Sequence, residues 1–169
     1  LNRWSKSPIK ATIYPIRVKQ IPFVVSKEII ESYLDERTRY AVEQTVRKTV
    51  ETVAFDIQKK IKNIIEEYFE ILSRKHSVWD IRRLRSWTEQ IKSLPEGRKW
   101  FSQEIEALEA MIDAIENEDE NRMYDAINKI ASTMGVETYG RSPDDVFKDL
   151  IDKFTSTLSP SIKSLIDSL

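Results

Sequence analysis

Residues 42–71 read VEQTVRKTVETVAFDIQKKIKNIIEEYFEI, and along them Val42, Val46, Val50, Val53, Ile57, Ile61, Ile64, Tyr68 and Ile71 recur at steps of three and four. That spacing follows the 3.6-residue turn and places these side chains on one face of an α-helix, whereas a half-buried strand would alternate at two. The face is apolar enough to be core or interface. Outward from it, no glycine or proline interrupts the chain between Pro22 and Pro95. Ser26 reads as an N-cap with Glu28 in the first turn, so a helix is expected over 26–76. Unbroken, it would measure about 70 Å, too long for a compact bundle of this size. A break or bend is therefore expected at Arg37–Tyr40, with the β-branched stretch Thr45–Val53 as a second place for one.

Before this helix lies LNRWSKSPIKATIYPIRVKQIPFVV, residues 1–25, with Pro8, Pro15 and Pro22 seven apart. Each proline forbids a helix interior and pushes its predecessor toward extended backbone, so an extended arm is expected. Its apolar residues, Ile9 to Val25, argue that it lies on a surface, either its own fold or a neighbour's. After the helix, Ser77 and Asp80 have capping-box spacing and open a second helix expected to bury Val78, Ile81, Leu84, Trp87, Ile91 and Leu94. Pro95-Glu96-Gly97 ends it. A third helix carries Trp100, Phe101, Ile105, Leu108, Met111, Ile112 and Ile115, and Glu116–Asn121 is a polar joint. A fourth runs through Met123, Ile127, Ile130 and Met134, with Gly135 as its C′ residue. Ser142-Pro143-Asp144-Asp145 combines cap, N1 proline and acids at the positive end of the dipole. Residues 147–158 and 160–169 close the chain as one or two short helices. The expected class is all-α: an extended arm (1–25), a long helix (26–76) and a bundle of about four further helices (77–169).

With 169 residues, 40% of them hydrophobic and 33% charged, the chain can bury a real core under a strongly hydrated surface. Its net charge of −1 hides an asymmetry. Residues 1–100 hold 21 lysines and arginines against 13 acids, a net +8, while residues 101–169 hold 6 against 15, a net −9. The first 25 residues carry Arg3, Lys6, Lys10, Arg17 and Lys19 and no acid. Frequent isoleucine, lysine and glutamate with little glutamine fits a protein selected by heat for ion-pair networks.

Several chemistries lack their residues. There is no cysteine, only three glycines and one histidine, His76. Disulfides, thiolate sites and Gly-rich phosphate loops have nothing to be built from. A zinc or di-iron site would need partners that His76 does not have, and a hydrolase triad would need His76 as its only base. The carboxylates Glu66, Glu67 and Glu70, and Glu104, Glu106, Glu109 and Asp113, read as solvated faces. Trp79, Trp87 and Trp100 read as core or junction residues, with Trp4 in the arm the exception. The expectation is a protein with no catalytic residues, no metal and no cofactor. No apolar run approaches the ~18 residues a bilayer demands, so no integral membrane segment is expected, and no signal-peptide pattern opens the chain.

One face of the long helix points to a polyanion. Eleven residues return to within about 20° of the same direction, which lines up Arg37, Lys48 and Lys59. Gln44 and Lys62 share the line, Lys27 and Arg47 flank it, Glu51 borders it and Glu66 ends it. A basic stripe about 40 Å long at 1.5 Å per residue, joined to an acid-free arm, has the footprint of contacts to a phosphate backbone. The expected nucleic-acid-binding set is Arg3, Lys6, Lys10, Arg17, Lys19, Lys27, Arg37, Gln44, Arg47, Lys48, Lys59 and Lys62. No helix-turn-helix, zinc knuckle or aromatic RNA platform is present to read bases, so binding would be by charge and shape.

The segment SPIKATIYPIRVKQIP (7–22), the helix from Ser26 to Arg74 and the Ile-, Lys- and Glu-rich composition together resemble the major coat proteins of filamentous archaeal viruses, the lipothrixvirus, rudivirus and tristromavirus group. The resemblance lies in architecture across nearly the whole chain rather than in a residue motif. It implies linear double-stranded DNA held in A-like form by the N-terminal helices of many subunits. It also implies self-assembly into a polymer, with itself or with a second, related coat protein. The C-terminal bundle would then face outward in a virion, in some members against a lipid envelope. Two other readings stay open: a cellular, cytoplasmic nucleoid-type DNA-binding protein, and a helical adaptor whose stripe meets an acidic partner. Polymer formation separates the first from the others, and salt-sensitive DNA binding separates the adaptor from both.

Overall fold

The structure, a computed structural model, describes residues 35–169. The arm expected over 1–25 and the helix onset expected at Ser26 lie outside them. The described residues are all-α and contain no strand: α1 Glu36–Leu72, α2 Val78–Ser93, α3 Pro95–Trp100, α4 Ser102–Glu116, α5 Glu120–Thr133, α6 Pro143–Ser156 and α7 Pro160–Asp167. Six helices thus follow the long one, where about four were expected. Two compact units divide the chain after Glu51, within α1.

In the first unit, α1 begins at an N-cap. The Asp35 carboxylate accepts the Thr38 N–H at 2.9 Å, which holds it below the usual carboxylate range. α1 runs unbroken through Arg37–Tyr40, the expected place of a break. Thr45–Val53 is continuous helix, with the Thr45 and Thr49 hydroxyls donating to the carbonyls of Ala41 at 2.9 Å and Thr45 at 2.8 Å. Val42 and Val46 are half-buried and Val50 is buried.

In the second unit, Thr52–Ser168, the seam on α1 becomes core: Ala54, Ile57, Ile61, Ile64, Ile65, Tyr68 and Ile71 are all buried. β-Branched residues cost a helix a few tenths of a kcal/mol each, and fully burying each isoleucine gains about 1.5–3 kcal/mol, so burial decides the conformation. This part of the seam is covered by the chain's own helices and needs no neighbouring molecule. Also buried in this unit are Ile81, Leu84 and Ile91 of α2, the side of α4 from Ile105 to Ile115, Val146, Leu150 and Phe154 of α6, and Ile162 and Ile166 of α7, while Phe69 of α1 stacks on Phe147 of α6.

The turns show how local chemistry positions these elements. Ser77 and Asp80 form the expected capping box. Asp80 also accepts both Arg74 Nη atoms at 3.0 Å, pinning the α1–α2 turn. Pro95 ends α2 as expected, but it also opens α3, because a proline at N1 lacks only an N–H that would have no helical partner. Trp100 and Phe101 thus belong to α3 and its junction with α4, not to the third helix expected from sequence. Gly135 (φ +71°) closes α5 in a Schellman motif, its N–H on Ser132 O and the Val136 N–H on Ala131 O. Ser142 caps α6 with Pro143 at N1, as expected.

Two expectations about burial fail on α2. Val78 is 66% exposed, and Trp87 and Leu94 are only half-buried. Trp79, expected in a core or junction, is 73% exposed. It lies two residues, about 200°, from the buried Ile81, and so on the opposite face of the helix.

Candidate nucleic-acid interface

Arg3, Lys6, Lys10, Arg17, Lys19 and Lys27 lie outside the described residues. In the first unit, Arg37, Gln44 and Lys48 are exposed on α1 and Arg47 is half-buried beside them. In the second unit, Lys59 is exposed and Lys62 is half-buried, its ammonium 3.5 Å from Glu66. The expected end of the stripe at Glu66 is therefore a direct partner of its last lysine.

Taken whole, α1 is electrically neutral, with seven cations (Arg37, Arg39, Arg47, Lys48, Lys59, Lys60, Lys62) against seven carboxylates. Any attraction for phosphate is a property of one face. What separates α1 from the later helices is how its cations are used. Among the described residues, Arg37, Arg39, Arg47, Lys59 and Lys60 enter no ion pair. Beyond α1 seven of the fourteen cations enter ion pairs among the described residues, and the pairs join helices and turns. Arg74 and Arg83 bind Glu67 and Asp80, Arg85 binds Asp113 and Glu116, Lys92 meets Glu109 at 2.8 Å, and Lys129 meets Glu106 at 2.8 Å. Those bonds raise the proton affinity of Arg74, Arg85 and Lys92 and hold Asp80, through Arg74 and the Ser77 N–H, well below the usual carboxylate range.

The acidic faces are accordingly not all solvated. Glu67, Glu106, Glu109 and Asp113 tie helices together. Glu104 is a plainer correction: it is 2% exposed, its Oε2 has no hydrogen-bond partner, and burial pushes its carboxyl up to about 7. His76 is half-buried in the α1–α2 turn. Among the described residues no group of three or more histidines, cysteines or acids is placed to hold a metal ion.

Two residues near the cations escaped sequence reasoning. Phe55 is 37% exposed, one turn before Lys59 and two before Lys62, so an aromatic surface lies on the same helix line. Its spacing from the two lysines was the available signal. Trp79 carries the Arg82 guanidinium 5.3 Å above its ring. A cavity of about 160 Å³ between α1 and α2 is lined by Lys60, Asn63, Ile64, Trp87 and Gln90.

Among the described residues no helix is long and apolar enough to cross a membrane. Comparison of the chain with family models, curated proteins and solved structures gives no match.

Proposed function

We propose that this chain is a structural coat protein that packages linear double-stranded DNA in a helical filament, through sequence-independent contacts to phosphate. The observation that carries the reading is the division of cation use. Of the fourteen arginines and lysines beyond Leu72 seven enter ion pairs, with Arg83, Arg85, Lys92 and Lys129 joining one helix to another, whereas of the seven on α1 Arg37, Arg39, Arg47, Lys59 and Lys60 enter none among the described residues. Cations kept off carboxylates are available to displace counterions from a duplex. The +8 and −9 halves support the same polarity, basic residues toward an enclosed acid and acidic residues toward solvent. The role is non-enzymatic, and its setting is a virion.

Replacing Arg37, Lys48, Lys59 and Lys62 with glutamine should weaken binding about equally on unrelated duplexes. It should also flatten the slope of log affinity against log salt by up to about 3 to 4 units. An unchanged slope, or loss confined to one DNA sequence, would count against backbone binding. Electron microscopy with linear duplex separates the readings: filaments are expected, and a monomer on DNA would favour a nucleoid-type protein instead.

A further inference from the structure

One end of the second unit carries an exposed apolar corner that no other described residue covers. Leu72 closes α1 at 38% exposed, and Val78 and Trp79 open α2 at 66% and 73%. Leu72, Val78 and Trp79 flank one helix–helix turn, and three large exposed apolar residues at one end of the unit differ from scattered surface hydrophobics, which need no explanation. The corner is basic: Lys75 is exposed and Arg82 sits over the Trp79 ring, and neither enters an ion pair among the described residues.

The ion pairs show what else lies at that end. Arg85, under two turns beyond Trp79, binds Asp113 and Glu116 in the last turn of α4, and Lys92 near the end of α2 binds Glu109. α2 and α4 are therefore antiparallel, and the α4–α5 turn lies at the same end as the Trp79 corner. That turn is acidic, with Glu116, Glu118 and Glu120 exposed, Asp119 half-buried as the α5 cap, and Tyr124 exposed one turn further on. A basic aromatic lobe and an acidic lobe thus share one end of the unit.

We propose that this end is a self-complementary contact surface through which two copies of the chain pair about a two-fold axis. The Leu72–Trp79 corner of each copy meets the Glu116–Tyr124 segment of the other. A two-fold operator brings each lobe onto its opposite twice, whereas a contact of like lobes would set cation against cation. Trp79 has the properties of an anchor: large, amphipathic and already carrying an arginine. The patch holds fewer residues than the 20–30 per side of a stable interface, so pairing is weak in free solution and strengthens where subunits share one duplex. The contact supplies the paired unit for the polymer proposed above, whose growth needs a second contact because a two-fold one closes on itself, and it rests on that reading for its role.

The full chain tests this. Lys75→Glu with Arg82→Glu gives a variant whose copies repel one another at both contacts, and Glu118→Lys with Glu120→Lys gives a second. Mixed, they form a pair with both contacts complementary. In sedimentation velocity, self-association is expected in the wild type, in neither variant alone, and again in the mixture. Carbodiimide coupling of mixed ¹⁴N and ¹⁵N wild-type protein should give hybrid-isotope peptides joining Lys75 to Glu118 or Glu120. Their yield should fall roughly 10-fold or more in Trp79→Ala, whose circular dichroism should match the wild type because the side chain is exposed. Cross-links only within one isotope, or association indifferent to the charge swaps, would overturn the proposal. So would tryptophan emission that shifts to the blue on phosphatidylglycerol vesicles in the wild type, not in Trp79→Ala and not on concentrating the protein, since that assigns the corner to a lipid surface. Filaments on DNA that survive both charge-swap variants and Trp79→Ala remove the corner and leave the coat reading. Pairing of the mixture without DNA binding does the reverse.

Discussion

Glu104 stands in the first turn of α4 with its carboxyl buried and one oxygen unpartnered, and burial raises its pKa to about 7 from the ordinary 4.5. An acid held above its unfolded value keeps its proton longer in the native state, so the native state is favoured at low pH and loses stability as pH rises from about 4.5 through 7. The loss reaches on the order of 3 kcal/mol above that range. Glu104→Gln should therefore be more stable than the wild type by about 2–3 kcal/mol at pH 8, and nearly equal to it at pH 4.5, in urea unfolding. Parallel curves for the two proteins at both pH values would contradict this. Asp80 has the opposite sign. Its carboxyl is depressed by Arg74, so its contribution is full above the ordinary carboxylate pKa and disappears as pH falls below it. Gln58 is wholly buried, donating to Thr157 O at 2.9 Å and accepting from the Ser159 N–H at 2.7 Å. Gln58→Leu leaves both backbone groups unsatisfied inside the protein and should cost about 2–4 kcal/mol of unfolding free energy.

At the scale of elements, Gly97 lets α3 turn directly off the end of α2. A Cβ there would strike the carbonyl oxygen of Ile91, which is backbone and cannot swing aside. Gly97→Ala should cost about 1–3 kcal/mol and lower the thermal midpoint, while Ala at Gly140, where nothing lies within 4 Å, meets only the strain of φ +70°. A Gly97→Ala protein as stable as the wild type would mean the two helices do not meet this closely. These cases also show which parts of the fold could be read from the chain. Ser77 with Asp80, Gly135, and Ser142 with Pro143 were legible because caps bond within a few residues. The all-α class was legible because the apolar spacing from Val42 to Ile71 repeats over many turns. The short α3 was not, since Pro95 is compatible with both the stop of one helix and the start of another, and only the packing of Gly97 against Ile91 decides between them. The outward face of Trp79 is present in the spacing from Ile81, but the size of a tryptophan side chain argues for burial and so for the wrong face. The burial of Glu104 and the pairing of Arg85 with residues 28 and 31 positions away had no local signal, because each depends on which helices become neighbours. On the candidate interface, the exposed cations of α1 were legible from the wheel, but the Lys62–Glu66 pair that weakens one end reads from the chain only as a boundary.

For the whole molecule, the division of charge makes a prediction about accessibility in the assembly. In lysine labelling of the DNA-bound protein, Lys48, Lys59 and Lys62 should be protected relative to the free protein, while Lys148, Lys153 and Lys163 react as before. Equal protection of the two groups would sink the arrangement with nucleic acid inside and acidic helices outside. The long bond from Gln58 adds a matter of timing. Its two partners lie 99 and 101 residues further along the chain, so α1 cannot satisfy its own buried amide until the last helices have been made. At about 5–20 residues per second of synthesis, that leaves on the order of 5 to 20 s in which α1 is on the ribosome without these closing contacts. A chain built this way closes its core around Gln58 only when synthesis has reached the segment between α6 and α7.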